Sequence, residues 1–135
     1  MTTPLRLLRA DTGDVVVQNL DVADGPWSRF KGLQLRRCLP PGSGLLLVPC
    51  PSVHTFFMRF PIDVLLLGRG GVVLAFRREV RPWRVVLPVA GAYATLELPG
   101  GSADVEVGVA LRLEAAEQEP PPRSLSFLRP SSTVR

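Results

Sequence analysis

Residues 54–63, HTFFMRFPID, bring together the chain's one histidine, a threonine hydroxyl, an arginine and an aspartate. Each of these types can do chemistry. An imidazole accepts, donates or senses protons near neutral pH. A guanidinium offers a planar fork of donors to carboxylates and phosphates. A carboxylate can act as a base or orient a neighbouring cation. If 54–60 is extended, His54, Phe56, Met58 and Phe60 share one face, Thr55, Phe57 and Arg59 share the other, and Pro61 resets the geometry. In the following strand Asp63 shares its face with Leu65 and Leu67, so its carboxylate points toward a core and requires a partner; Arg59, Arg84 and His54 are the nearest candidates.

Two readings of this stretch stand side by side. In the structural one, Asp63 fixes a strand end by accepting backbone N–H bonds while His54 and Met58 fill the core. In the functional one, His54, Thr55, Arg59 and Asp63 line the rim of a cleft with Trp83 and Arg84. Phe56 and Trp83 are then its apolar walls, and Arg59 or Arg84 holds a small anionic or hydroxyl-rich ligand. Cys50, His54 and Met58 are spaced C-x3-H-x3-M, a soft donor set of the kind that suits cuprous copper. Pro51 breaks any regular face there, and one histidine falls short of the two-histidine sites of zinc enzymes, so no metal or other cofactor is expected. A Cys50–His54 nucleophilic pair lacks an orienting third group. The segment RREVRPWR, residues 77–84, sets Arg77, Arg78, Arg81 and Arg84 beside Trp83, a composition able to hold phosphates and stack a base. A charged, solvated strand edge accounts for it better, and nucleic-acid binding is disfavoured.

Short strands must position these groups. Leu5–Leu8 and Val15–Leu20 flank the turn-like ADTGD and predict an opening hairpin. Asp24 precedes Gly25 and Pro26, and Trp27, Phe30, Leu33 and Arg37 recur at helical spacing, which predicts a short helix capped by Asp24 and ended by LPPGSG. IDVLLLGRGGVVLAF predicts a hairpin across the glycine-rich turn at 68–71. VRPWRVVLP, AYATLELPG and Val109–Leu113 supply further strands. The fold class is α+β, mainly β: a compact, curled or barrel-like antiparallel sheet with one short helix in the N-terminal half. Residues 1–116 are expected to form a single domain, and the Pro- and Ser-rich residues 117–135 a flexible tail whose Phe127 and Leu128 are available to a protein partner.

With 135 residues and 46% hydrophobic content, the chain suffices for one ordinary core. The net charge of +4 is uneven: residues 29–84 hold ten Arg or Lys against Asp63 and Glu79, a local balance of +8. Such clustering attracts anions. The opening residues MTTPLRLLRADTGD show no apolar leader core, no run reaches membrane-spanning length, and two cysteines make no disulfide framework, so a soluble cytoplasmic protein is expected.

Several co-ordered stretches resemble one family: WSRFKGLQLRRCLPPGSGLLLVP, HTFFMRFPIDVLLLGRGGVVL, the RPWR segment, and LELPGG before a last short strand. Residues 15–114 are similar in these motifs to domain of unknown function 192, also called uncharacterised protein family 0127. The resemblance implies a compact, mainly β fold with a short helix. It also marks Met58, Arg59, Ile62 and Asp63 as the family's signature region, and it implies no particular activity. The residues themselves point first to a non-enzymatic binding or accessory module contacting ligand through His54, Thr55, Arg59, Asp63, Trp83 and Arg84. The alternatives are a small hydrolase using His54 or Asp63 as base, and a basic nucleic-acid surface at 77–84.

Overall fold

The computed structural model describes residues 5–26, 29, 38–115 and 121–130. Its strands are β1 (Leu5–Arg9), β2 (Val15–Ala23), β3 (Ser43–Leu47), β4 (Val53–His54), β5 (Ile62–Leu67), β6 (Val73–Val80), β7 (Val85–Val86), β8 (Ala94–Pro99), β9 (Leu111–Glu114) and β10 (Arg129–Pro130). Eight form one sheet in the order β10-β9-β1-β2-β3-β8-β5-β6, while β4 and β7 pair as a separate ribbon. The large sheet curls into a half-barrel. Val72 bridges to Ala110, and the Val73 and Gly108 amides exchange bonds with the carbonyls of Val109 and Val73, so the start of β6 meets the chain just before β9.

The expected opening hairpin is β1–β2, closed by Arg9 and Gly13 around the predicted turn. The Gly68–Gly71 turn joins β5 to β6 as anticipated. The sheet is not wholly antiparallel, however: β2 pairs parallel with β3, and β10 parallel with β9. A parallel pair needs a crossover, which residues 24–42 provide between β2 and β3. The helix predicted in that crossover falls mostly outside the described residues. Within them, the Arg29 amide donates to the Gly25 carbonyl at 2.9 Å with helical spacing, and the helices that lie wholly among the described residues are two 3-10 turns, Arg69–Gly71 and Arg123–Phe127.

Strand β5 is buried at every position. This explains why IDVLLL reads as a continuous apolar run instead of alternating: a strand covered on both faces has no solvent face to make polar. Inside the half-barrel, Leu65 and Leu67 of β5 pack with Leu46, Leu96, Leu98, Val17, Leu7 and Leu111. On the outer face, Val64 and Leu66 pack with Leu45, Leu47, Met58, Ile62 and Val86. The cover over that outer face comes from the β4–β7 ribbon and its adjoining loops, which contribute Val53, Met58, Phe60, Val86 and Val89.

Phe127 and Leu128, expected in a flexible tail and free for a partner, are instead buried in the half-barrel core with Leu125. The Pro/Ser composition of the region hid three apolar residues on a 3-10 turn that, with β10, closes the sheet edge at β9. Gly71 makes that closure fit. Its φ is +77°, and a Cβ there would collide with the Leu111 carbonyl oxygen and lie 2.9 Å from a Leu128 methyl. Gly108, at φ +98°, has open space around the same position. Gly108→Ala is therefore expected to cost only backbone strain, about 1–2 kcal/mol, and Gly71→Ala clearly more, measured as the difference in urea-unfolding free energy between the two variants.

Candidate functional site

The opening stretch is not an extended strand. Only Val53 and His54 are paired, to Val86 and Val85, and the chain then turns. Thr55 enforces the turn. It is fully buried, and its backbone N–H donates to the Arg84 carbonyl at 2.8 Å while its own carbonyl accepts from Trp83 at 3.0 Å and Met58 at 3.3 Å. Its hydroxyl accepts from the Arg84 amide at 2.8 Å and donates to the Arg81 carbonyl at 2.7 Å. A buried hydroxyl with both roles filled is a strong local restraint, because any rearrangement strands polar groups away from water. Loop 55–59 is thus locked to loop 81–84, and Thr55 is part of the lock instead of a ligand contact.

The lock holds two side chains in uncommon backbone conformations. Phe57 has φ 63° and Trp83 φ 66°, a left-handed region that bulky residues seldom occupy. Their rings meet edge to face with centroids 4.8 Å apart, Phe56 stacks on Trp83 at 5.6 Å, and His54 lies 4.7 Å from Phe56. The outcome is a chain of four rings on the outer side of the ribbon. Phe57 is 53% exposed, Trp83 56%, Val85 57% and Leu87 72%. The Nδ1 atom of His54 accepts the Phe56 amide at 3.3 Å, which leaves Nε2 as the ring's free position.

Arg59, on loop 55–59, and Arg81 and Arg84, on loop 81–84, are exposed. Among the described residues, the ion pairs are Arg6–Glu114, Arg9–Asp11 and Arg9–Glu106, all remote in the fold, and none neutralises these three cations. The Arg84 guanidinium reaches only the Pro82 carbonyl, at 3.5 Å. Arg77 and Arg78 continue the positive charge along the exposed part of edge strand β6.

Asp63 stands apart. It is fully buried, and its carboxylate accepts three backbone N–H bonds: Glu79 and Gly101 on Oδ1, both at 2.8 Å, and Ala103 on Oδ2 at 2.9 Å. The β5–β6 register slips between Ile62↔Val80 and Val64↔Arg77, so β6 carries an extra residue there; Glu79 sits at φ 50° and turns its amide to the carboxylate. The Pro99–Gly101 turn wraps the other side, with Gly101 at φ +77°. Asp63 therefore ties a bulge to a turn, the structural role weighed in the sequence, and its oxygens are engaged away from the ribbon's exposed face. Of the six nominated contacts, His54, Arg59, Trp83 and Arg84 border that face. The six nominated contacts leave out Phe57, Val85 and Leu87, and Arg81 was placed only in the basic segment 77–84; the RPWRVVL run held the signal for Val85 and Leu87, an aromatic and alternate apolar residues among arginines.

The soft-donor set does not assemble as a site either. Met58 is buried in the outer core, and the Cys50 thiol donates to the Ser52 carbonyl at 2.8 Å. Burial pushes the Cys50 thiol above its ordinary range, and the nearby charge of buried Glu97 adds to the shift.

The β-rich half-barrel and its motifs match known proteins. The family model described as DUF192, Uncharacterized ACR, COG1430, matches residues 8–113. The chain belongs to the DUF192 family. A UPF0127 protein of Thermococcus sibiricus (strain DSM 12597 / MM 739) is 32% identical over 122 residues, covering 83% of this chain and 77% of its own. Two solved structures, each with TM-score 0.68 and 22% identity, share the DUF192 fold seen here. One is a protein of unknown function from Novosphingobium aromaticivorans DSM 12444, covering 81% of this chain and 83% of its own. The other is a proposed transcription regulator from Sinorhizobium meliloti 1021, covering 80% of this chain and 90% of its own. Among the described residues no helix is long and apolar enough to cross a membrane.

Two outcomes follow from this geometry. In Asp63→Asn, the amide oxygen can still serve two donors, but the amide nitrogen faces the Ala103 N–H or a rotated equivalent, so a loss of about 2–3 kcal/mol is expected in urea unfolding. Thiol labelling of the native protein at pH 8 is expected to modify the exposed Cys38 rapidly and Cys50 slowly, because raising a thiol's pKa lowers its thiolate fraction; equal rates would contradict the burial of Cys50.

Proposed function

We propose that the chain is a non-enzymatic binding or accessory module whose recognition surface is the outer side of the β4–β7 ribbon. The observation that carries this reading is the pairing of half-exposed Phe57 and Trp83, each held at a left-handed φ, beside Arg59, Arg81 and Arg84. The left-handed φ of Phe57 falls in the turn closed by the Met58 N–H on the Thr55 carbonyl, but the exposure of the two rings serves the fold in no evident way. Left-handed bulky residues cost of order 1–3 kcal/mol each, and exposed aromatics sacrifice burial that a turned-in conformation would recover. Structures that retain both usually do so at a binding site.

The surface fits a partner that combines anionic groups with apolar area. Arginine pairs bidentately with carboxylate, sulfate-like and phosphate groups, and the ring chain supplies apolar contact of high area per residue. His54 borders the rings and adds a donor at Nε2. The family signature region Met58–Asp63 then splits by role: Met58, Ile62 and Asp63 hold the scaffold, and Arg59 reaches solvent.

Trp83 reports on this surface directly. In a Trp27→Phe background, aromatic sulfonates and carboxylates are expected to quench or shift Trp83 emission, and Arg81→Ala with Arg84→Ala is expected to weaken the response by about tenfold. Emission that ignores every such probe, or that responds identically without the arginines, would overturn the reading.

A further inference from the structure

We propose that the occupant of this surface is an acidic polypeptide segment bearing aliphatic or aromatic side chains. The inference rests on the recognition surface described above and names its partner class.

The ring geometry separates this occupant from a nucleic acid. A base stacks on an open ring face, and Trp83 already stacks on Phe56 and makes a T-shaped contact with Phe57, so part of its ring surface is engaged within the chain. What the rings expose jointly is a ridged apolar surface. It continues into aliphatic residues: Val85 lies opposite His54 in the ribbon register, and Leu87, two residues on, is 72% exposed. Isolated Val and Leu side chains give a base or a phosphate little to hold, whereas another protein's Leu, Phe or Met packs against them. Exposed aromatic and aliphatic anchors beside arginines are the composition of protein interface hot spots.

Charge selects among polypeptides. Arg59, Arg81 and Arg84 are exposed on the loops that carry the rings and make no ion pair among the described residues, and Arg77 and Arg78 extend the same sign along β6. A partner supplying Asp or Glu between its apolar residues would pair these cations while burying the rings; a neutral or basic segment would bury uncompensated positive charge. The support is also pre-organised. Thr55 fixes loop 55–59 and loop 81–84 relative to each other, so the partner meets a formed surface and binding does not have to order the loops.

The test uses the full chain and short fluorescein-labelled peptides read by anisotropy. One peptide alternates Glu with Leu and Phe; a second replaces Glu by Gln, a third replaces Leu and Phe by Ser, and an oligothymidylate and inorganic polyphosphate complete the set. The first peptide is expected to bind, with the second and third weaker by at least about tenfold. Trp83→Ala and the charge reversal Arg81→Glu with Arg84→Glu are each expected to reduce its binding by a similar factor. Val85→Ser with Leu87→Ser, at two exposed positions, is expected to reduce its binding as well. Oligothymidylate or polyphosphate binding as tightly through the same residues would overturn the polypeptide partner while keeping the recognition surface. Self-association that Trp83→Ala abolishes would overturn it in favour of a second copy of the chain. If no probe responds to any substitution, both the partner and the underlying surface are rejected.

Discussion

The central strands of this half-barrel are buried on both faces, and the rest of the molecule follows from that constraint. Strand β5 has no exposed residue, and neighbouring β3 and β8 are nearly as closed. The curl of the sheet covers one face with the chain's own strands. The other face needs a separate cover, and the sequence between the sheet strands supplies it: residues 49–61 and 81–93 form loops around a two-residue ribbon that plants Val53, Met58, Phe60 and Val86 on Val64 and Leu66. A ribbon with one buried side has another that faces water, and here that side carries rings and arginines where a purely structural lid would carry small polar residues.

Two buried polar residues make the arrangement rigid, and they do so differently. Asp63 works at the sheet's end, where three amides from a β-bulge and a glycine turn converge on one carboxylate. Charged acceptors form the stronger hydrogen bonds, so the buried charge is stabilised without a cationic partner. Thr55 works at the ribbon, joining two loops through both its backbone and its hydroxyl. The first positions β6 and the second positions Phe57 and Trp83. A binding surface built on the second is separated from the fold's main restraint, which lets the surface residues vary without loss of the half-barrel.

Much of the fold was legible because turn chemistry and apolar runs are local signals. ADTGD and the glycines at 68–71 marked their hairpins, and the apolar run at 62–67 marked a strand. The parallel pairing of β2 with β3 was not legible, since register partners distant in sequence leave no local trace. The candidate site was legible in part. His54, Arg59, Trp83 and Arg84 do share a region, but strand alternation misplaced Thr55 and Phe57, because nothing in HTFF announces a left-handed phenylalanine. A polar residue pointing among core leucines correctly drew attention to Asp63; whether such a residue meets amides or a ligand depends on the loops around it, here the bulge at Glu79 and the turn at Gly101. Residues 123–128 misled through composition, their apolar members being few among Pro and Ser yet spaced to reach the core.

The chain belongs to the DUF192 family and two solved structures share its fold, and in this chain the ribbon is the place where charge and exposed rings coincide. The most direct measurement is an amide chemical-shift map of isotopically labelled full-length protein titrated with the acidic, apolar peptide. The account predicts that perturbed amides cluster at 54–59 and 81–87 together with the Trp83 indole, while the amides of Glu79, Gly101 and Ala103 around Asp63 stay in place. Perturbations centred on Asp63, or on a surface remote from the ribbon such as the groove beside Gly68, Gly91 and Tyr93, would contradict it.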